Sequence, residues 1–511
     1  MDCKILLLEH PRPSSTAHFN DVANTPLSSG LMSGYIAALL RERGVSVGLH
    51  EACLADGSFA DCAAELEGLE FDVLGVNTVY LWEHTDELFE FLKDLKARRQ
   101  NILLILYGFF PTFSFREILS RYSFVDCVIR GEPEETFADI AASLNRDCHA
   151  DFTNIAGLAW RENGQVRISG ARALIEPLDC LPFPLRSDRF LQTVGGNILA
   201  SRGCYGQCSF CYINNFYGSG CGWRGRSPEN VAQEIAALYP RLAAPAIYFV
   251  DANFFGSGSP GRKRALDIIE RVRQWRDLAF GIECRSNDLD EELVERMAQA
   301  GLRQVFLGIE SASKASLARM KKGVRPDTQA AAIRMLKARD VEINPGFIMF
   351  EPDAALEDLR ANFDFLKANG LLDRLSCTVN VLYHREIALR GTDRFKQLQT
   401  ENRLQTIGPL DYEGSYGFLH EPVSFLADLM ESVCRGILQK MDNSGSPIFW
   451  GRESSAAACR LNDFLVHLFE DTLRRLELQD LPLTPAERMR REEEASSVVD
   501  GLIVSERVCQ L

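Results

Sequence analysis

Cys204, Cys208 and Cys211 stand in the run Cys204-Tyr205-Gly206-Gln207-Cys208-Ser209-Phe210-Cys211. Thiolates are the usual ligands of iron–sulfur clusters. Three of them spaced C-x3-C-x2-C can hold three irons of a [4Fe–4S] cluster and leave the fourth iron open for a ligand. Gly203 and Gly206 let so short a loop wrap around a cube. The alternatives are a zinc site or unrelated buried thiols. Structural zinc takes four protein ligands, often as two C-x2-C pairs, whereas this triplet has no obvious fourth member. Phe210 lies just before the third cysteine, and the run follows an apolar strand over Asn197–Ser201.

Charged residues at the ends of apolar strands cost free energy unless they are paired or bound to something polar. Downstream of the triplet they recur. The strand near 246–250 ends in Asp251-Ala252-Asn253, that near 278–284 in Glu283-Cys284-Arg285-Ser286-Asn287, and that near 303–309 in Gly308-Ile309-Glu310-Ser311. Arg285 can pair with a ligand carboxylate, and Glu310 can accept from hydroxyls or an amine. Alternatively the two form an ion pair across the mouth of the domain. Further strands are expected near 343–350 and 375–381. With 197–201 they make six strand–helix repeats over 196–393, a partial barrel whose carboxyl-terminal strand ends build the site.

Residues 1–148 alternate strands (Lys4 to Leu8, Val45 to Leu49, Val73 to Asn77, Ile102 to Leu106, Asp126 to Ile129) with helices, among them Leu31 to Arg43. That alternation predicts a doubly wound parallel sheet. Its ligand side carries Glu9-His10-Pro11, Thr78 to Trp82, Gly108 to Thr112 and Arg130 to Glu134. There is no G-x-G-x-x-G after the first strand, so a dinucleotide is not expected. Residues 149–195 form a linker with a hairpin over Leu158–Arg167, turning at Asn163-Gly164. Residues 394–511 read as mostly helical, with apolar spacing of three and four in Phe425 to Leu438 and Asn462 to Leu476. Tyr412 to Tyr416, His420 and Trp450 there are candidates for a substrate pocket. The fold class is therefore α/β, ending in a helical domain.

A chain of 511 residues exceeds one ordinary core. The net charge of −15 argues against a nucleic-acid partner. No apolar run approaches the ~20 residues of a membrane span, and Met1 to Leu8 reads as a first strand rather than a signal peptide. Fifteen cysteines without a secretion signal point to a reducing compartment, the cytoplasm.

With Phe210 as its aromatic, the triplet resembles the radical SAM signature, C-x3-C-x-Φ-C, at every position. The first 148 residues resemble the cobalamin-binding half of cobalamin-dependent radical SAM proteins. The features that carry this are Leu39 to Val47, the Gly108-x-x-Pro111-Thr112 loop and Arg130-Gly131-Glu132-x-Glu134. The resemblance covers about residues 1–393.

It implies a [4Fe–4S] cluster on Cys204, Cys208 and Cys211, with S-adenosyl-L-methionine chelating the open iron. One electron, from a donor such as flavodoxin or ferredoxin, splits the sulfonium and releases a 5′-deoxyadenosyl radical. Phe210 would lie against the adenine; Asp251, Asn253, Glu283, Arg285, Gly308 and Glu310 would be cofactor contacts. Cobalamin, as methylcobalamin, would be held by Thr78, Trp82, Gly108, Phe110, Pro111, Gly131 and Glu132. Phe110 stands where many relatives carry a loop histidine. The cobalt-binding D-x-H-x-x-G is absent, since Asp147-Cys148-His149 lacks the glycine, so cobalt would have no histidine below and Trp82 would press on that face.

The implied reaction is methyl transfer to an unactivated carbon of a small molecule or natural-product intermediate. A radical cyclase or rearrangement enzyme is the rival, and a non-catalytic cobalamin or redox sensor the third reading. Methylthio transfer to RNA would need a second three-cysteine cluster and a basic tail, and the sequence has neither.

Overall fold

The protein is described here by a computed structural model covering residues 3–15, 18, 29–55, 57–144, 150–218, 222–408, 410–444, 446–450, 452 and 454–509. Asp147-Cys148-His149 lies outside the described residues.

The first half runs β1 (Ile5–Glu9), α1 (Ser29–Glu42), β2 (Val47–Glu51), α2 (Phe59–Glu67), β3 (Val73–Asn77), α3 (Thr85–Arg98), β4 (Leu103–Tyr107), α4 (Phe109–Arg121), β5 (Cys127–Ile129), α5 (Glu134–Ser143), β6 (Leu158–Glu162) and β7 (Gln165–Ile168). All five residues of β1 and of β3 are buried, as expected for parallel strands covered on both faces. The strand order is β2-β1-β3-β4-β5-β6-β7. β1 to β5 are parallel, and the expected hairpin β6–β7 extends the sheet antiparallel beside β5. Its turn residues Asn163 and Gly164 both have positive φ, 50° and 76°, which a two-residue hairpin turn of this kind needs. The order reverses between β1 and β3, and open sheets bind ligands at such a switch point.

After α6 (Asp188–Thr193) come β8 (Gly196–Ile198), β9 (Ser201–Arg202), α7 (Ile213–Tyr217), β10 (Arg224–Gly225), α8 (Pro228–Leu238), β11 (Ala246–Phe249), α9 (Gly258–Val272), β12 (Ala279–Arg285), α10 (Glu291–Gln299), β13 (Leu302–Glu310), α11 (Lys314–Arg319), α12 (Pro326–Lys337), β14 (Glu342–Phe347) and α13 (Leu356–Ala368). β8, β11, β12, β13 and β14 lie side by side, all parallel.

The sixth strand expected at 375–381 is instead a helix, α14 (Leu375–Val381). Its β-branched residues suggest a strand. However, the buried residues Leu375, Thr378, Val379 and Leu382 recur at three and four, and α14 packs on β14 and on the C-terminal helices. Packing overrides β propensity here. The sixth position is taken by His384–Glu386, joined to Phe350 by one parallel bridge with Phe350 N–H on the His384 carbonyl at 3.1 Å and Glu386 N–H on the Phe350 carbonyl at 2.8 Å.

The remainder holds β15 (Ala388–Leu389), α15 (Asp393–Thr400), β16 (Leu404–Ile407), β17 (Glu413–Tyr416), α16 (Glu421–Met441), α17 (Ala456–Glu477) and α18 (Pro485–Cys509). The expected helices are present. The small antiparallel sheet β15-β17-β16 is an addition.

Buried ion pairs tie the two sheets together. Arg202 donates to Glu132 at 2.8 Å and to Glu134 at 2.5 Å, and Arg224 donates to Glu132 at 2.8 Å. Ile175 N–H adds a bond of 2.8 Å to the same Glu132 carboxylate. Burial pushes the Glu132 carboxyl up, but the two guanidiniums outweigh it and hold it below the usual range. Glu132, expected as a cofactor contact, therefore spends its carboxylate on the joint between the sheets.

Candidate active site

The cysteine loop leaves the end of β9 and re-enters helix at α7. Backbone bonds pin it: Ser209 N–H to the Met320 carbonyl (2.9 Å), Arg394 N–H to the Ser209 carbonyl (2.8 Å) and Cys211 N–H to the Cys208 carbonyl (3.2 Å). All three thiols are free and half-buried. Burial first, and Cys208 second, push the Cys211 thiol up to about 12; burial likewise raises Cys204. Such thiols stay protonated without a cation, whereas a metal centre deprotonates them outright. Among the described residues no three His, Cys, Asp or Glu side chains converge on a single metal ion. Thiols on separate irons of a cluster do not need to converge. Gly206 keeps the loop tight: a Cβ there would run into Arg285 and lie 3.5 Å from Cys204 Sγ.

Arg285, at the end of β12, places Nη1 3.4 Å from Cys208 Sγ and gives Nη2 to the Lys322 carbonyl. The alternative of an Arg285–Glu310 ion pair is not what forms. Glu310 Oε1 accepts from Lys322 Nζ at 2.8 Å. Lys322 is a site residue that no spacing in the sequence announced. Burial pulls its ammonium down, but Glu310 and Cys208 more than offset this and raise it. Glu310 sits at φ 65°, an uncommon conformation for a residue with a side chain, where the β13–β14 register shifts. At Gly308 a Cβ would lie 2.8 Å from Lys322 Nζ and 2.9 Å from Glu310 Oε1, so any side chain there would have to displace the ends of this pair.

Glu283 is half-buried in the barrel interior, and no protein group hydrogen-bonds its carboxyl among the described residues. Burial, then the nearby Asp251, push it up to about 8. Asp251 and Asn253 are turned inward instead. Asp251 accepts from Ser201 Oγ and from Ala200 N–H (3.2 Å); Asn253 donates to Asp288 (2.7 Å) and accepts from Gly256 N–H (2.9 Å). They shape the strand ends. Phe210 is half-buried within the cysteine turn.

On the first sheet, Thr78 is buried with its N–H on the Tyr107 carbonyl (2.8 Å). Gly108 has φ 116°, and a Cβ there would lie 2.8 Å from Asn77 Oδ1. Phe110 and Pro111 are buried, and Gly131 N–H bonds Thr112 Oγ1 at 3.2 Å. Tyr80 packs against Phe110, Trp82, Tyr212 and Tyr412, with ring centroids 5.2 to 6.4 Å apart. Tyr212 directly follows Cys211, so this aromatic layer joins the sheet crest to the cysteine loop. Tyr80 thus caps the sheet, while Trp82 stays half-exposed.

Trp82 opens onto a cavity of about 490 Å³. Its far wall is Tyr383 to Ile387 of the sixth barrel position, and its floor includes Tyr412, Glu413 and Tyr416 of the small sheet. His420 and Trp450 are not in that lining. Glu386 is missing from the sequence expectations because nothing in its spacing marks it. Its Oε1 accepts from Arg394 Nε at 2.7 Å, and its Oε2 is buried without a partner. Another cleft, along Phe89, Lys93 and Tyr122 of α3 and the end of α4, contains none of the residues singled out above.

A sequence profile of the Radical SAM superfamily matches residues 198–366, and one of the B12 binding domain matches residues 28–141. This chain is a cobalamin-dependent radical SAM enzyme. Its cofactors are a [4Fe–4S] cluster, S-adenosylmethionine and cobalamin. The enzyme is 29% identical over 376 residues to an uncharacterized methyltransferase of Pyrococcus horikoshii, 71% of this chain and 78% of that protein. It is 27% identical over 259 residues to an anaerobic magnesium-protoporphyrin IX monomethyl ester cyclase of Synechocystis, spanning 48% of this chain and half of that one. In fold it matches the cobalamin-dependent S-adenosylmethionine radical enzyme OxsB, with aqua-cobalamin and S-adenosylmethionine bound. That match has a TM-score of 0.75 at 16% identity, covering 99% of this chain and 80% of that one. No helix among the described residues is long and apolar enough to cross a membrane.

Proposed function

We propose that this enzyme transfers a methyl group to an unactivated carbon of a small-molecule or natural-product intermediate. The observation that carries the reading is the cavity between Trp82 and Tyr383–Ile387, because the ligand sides of both sheets border it. When bound, the cluster with S-adenosylmethionine supplies a hydrogen-abstracting radical, and cobalamin supplies a transferable methyl group.

The chain's own residues hold, orient and screen. Cys204, Cys208 and Cys211 hold the cluster, and Arg285 sets a positive charge beside it. Glu310, oriented by Lys322, and Glu283 offer carboxyl oxygens to the ribose or the amine of S-adenosylmethionine, with Gly308 giving close approach and Phe210 flanking the adenine. Asp251 and Asn253 position the strand ends that carry these groups. Trp82, against which the His18 ring packs with centroids 3.7 Å apart, would flank the corrin. Thr78, Gly108, Phe110, Pro111 and Gly131 form the wall behind it, and Glu132 fixes the distance between the two halves. The aromatic layer around Tyr80 excludes water, which holding a radical requires. The electron comes from a flavodoxin or ferredoxin in the cytoplasm.

The test is anaerobic incubation of the reconstituted protein with reductant and S-adenosylmethionine, measuring deoxyadenosine. Release that persists after all three cysteines become alanine would end the proposal. In the cob(II)alamin form, nitrogen hyperfine splitting from an axial base would contradict the assignment of Trp82. The Synechocystis relative favours a second reading, radical cyclisation; there the product forms with no gain of a methyl group.

A further inference from the structure

We propose that the basic rim around the cysteine loop is the docking surface of a small acidic electron-carrier protein, which gives the cluster its one electron there. This deepens the reading above: it rests on the cluster assigned to Cys204, Cys208 and Cys211, and it names the surface through which that site is reduced.

The first ground is where the loop sits. Gln207, between Cys204 and Cys208, is exposed. Two segments border the loop, each one hydrogen bond away from it. On one side the Met320 carbonyl accepts from Ser209 N–H at 2.9 Å and the Arg319 carbonyl from Ser209 Oγ at 3.3 Å. The Lys322 carbonyl holds Arg285, whose Nη1 lies 3.4 Å from Cys208 Sγ. On the other side Arg394 N–H bonds the Ser209 carbonyl at 2.8 Å. Lys321 Nζ, 3.5 Å from Asp393, closes the two segments around Ser209.

The second ground is charge. Three cations of these segments are spent inward: Arg319 on Glu351 and Asp358, Lys322 on Glu310, and Arg394 on Glu386. Lys314, Lys321, Arg325 and Lys396 are exposed, and the acids beside them are Asp327 and Asp393. The side chains of Lys321 and Lys396 are 59% and 65% exposed. The chain as a whole carries −15. An acidic carrier is therefore repelled by the molecule at large and drawn to this rim, and such local fields steer encounter and fix orientation.

The third ground is size. Electron-transfer encounters are small, below about 1,200 Å² in total, so a rim of this kind suffices. The carrier is oxidised by one electron and the cluster reduced by one; no bond is made or broken.

The test uses the holoenzyme with flavodoxin hydroquinone and reduced ferredoxin as acidic carriers, and reduced methyl viologen as a cationic reductant. Freeze-quench electron paramagnetic resonance counts the reduced cluster and gives a second-order rate constant for each. At least one carrier should reduce the cluster, at a rate that falls as salt screens the rim. Replacing Lys321, Arg325 and Lys396 together by Glu should slow that carrier about tenfold or more and leave the viologen rate undiminished. Replacing the same three by Gln should give a smaller loss, and keeps the comparison where the Glu variant fails to fold. Equal losses with carrier and viologen, or a carrier rate indifferent to salt and to these charges, overturns the proposal. So does reduction by viologen but by neither carrier. No reduced cluster with viologen either would instead remove the cluster reading itself. Reduction is read before any turnover, so the outcome of methyl transfer does not bear on it.

Discussion

Arg285 Nη1 lies 3.4 Å from Cys208 Sγ while its other amino nitrogen is held by the Lys322 carbonyl. The guanidinium is thus fixed against the sulfur of Cys208, one of the three thiols proposed to hold the cluster. A nearby positive charge stabilises the reduced, more negative cluster. Arg285→Met should retain about four irons per chain but lower the cluster potential by on the order of 50 mV. Deoxyadenosine formation should slow with it. Potentiometric titration followed by electron paramagnetic resonance checks this; an unchanged potential removes the role.

Gly308→Ala places a methyl group between Lys322 Nζ and Glu310 Oε1, 2.8 and 2.9 Å away. The pair must open, and the carboxylate then loses the orientation assigned to it. Affinity for S-adenosylmethionine should fall about tenfold or more, a loss of ~1.4 kcal/mol, with iron content unchanged. Equilibrium dialysis against labelled S-adenosylmethionine decides this. Wild-type affinity in the variant would place the cofactor elsewhere.

Arg202→Ala leaves Glu132 and Glu134 with fewer cations in a buried joint. Removing one partner from a buried ion network costs about 3–5 kcal/mol. The urea midpoint should drop accordingly, and cobalamin retention with it, since both halves border the same cavity. A loss below ~1 kcal/mol would mean that water already reaches the joint.

Asp251 is pushed up by burial from 3.8 to about 7. The folded state therefore holds this proton more tightly than the unfolded chain. The stability it contributes is fully present below pH ~4 and is lost as pH rises through about 7. Asp251→Asn should flatten the fall in stability across that window, by on the order of 4 kcal/mol at most. Urea midpoints at a series of pH values measure it. Parallel profiles for the two proteins would show that Asp251 is not the titrating group.

Much of this molecule was legible in its residues. The cysteine spacing named the cluster, since a short loop leaves few other uses for three thiols. Strand–helix alternation gave both sheets, because parallel strands buried on both faces read as apolar runs. Leu375 to Val381 misled because β-branched residues favour strands locally, while the helices packed around them decide otherwise. The strands β15 to β17 are two to four residues long, too short for a period to register. At the site, Glu310 and Arg285 were visible as charges ending apolar strands, but their partners were not. Lys322 and Glu386 belong to loops and irregular backbone, where position comes from tertiary contacts that no local pattern encodes. Asp251 and Glu132, as buried charges, and Asn253, as a buried amide, carried the right signal, a polar group needing a partner, and found that partner in the protein.

The account's central claim is radical methyl transfer, and stoichiometry tests it most directly. Reduced holoenzyme is incubated with S-adenosylmethionine and a panel of candidate acceptors, and deoxyadenosine, S-adenosylhomocysteine and methylated product are counted together. The account predicts deoxyadenosine and S-adenosylhomocysteine in equal amounts per methylated product. Deoxyadenosine formed with a product that gains no methyl group would contradict it in favour of cyclisation or rearrangement. Methylation without deoxyadenosine would contradict it in favour of polar methyl transfer.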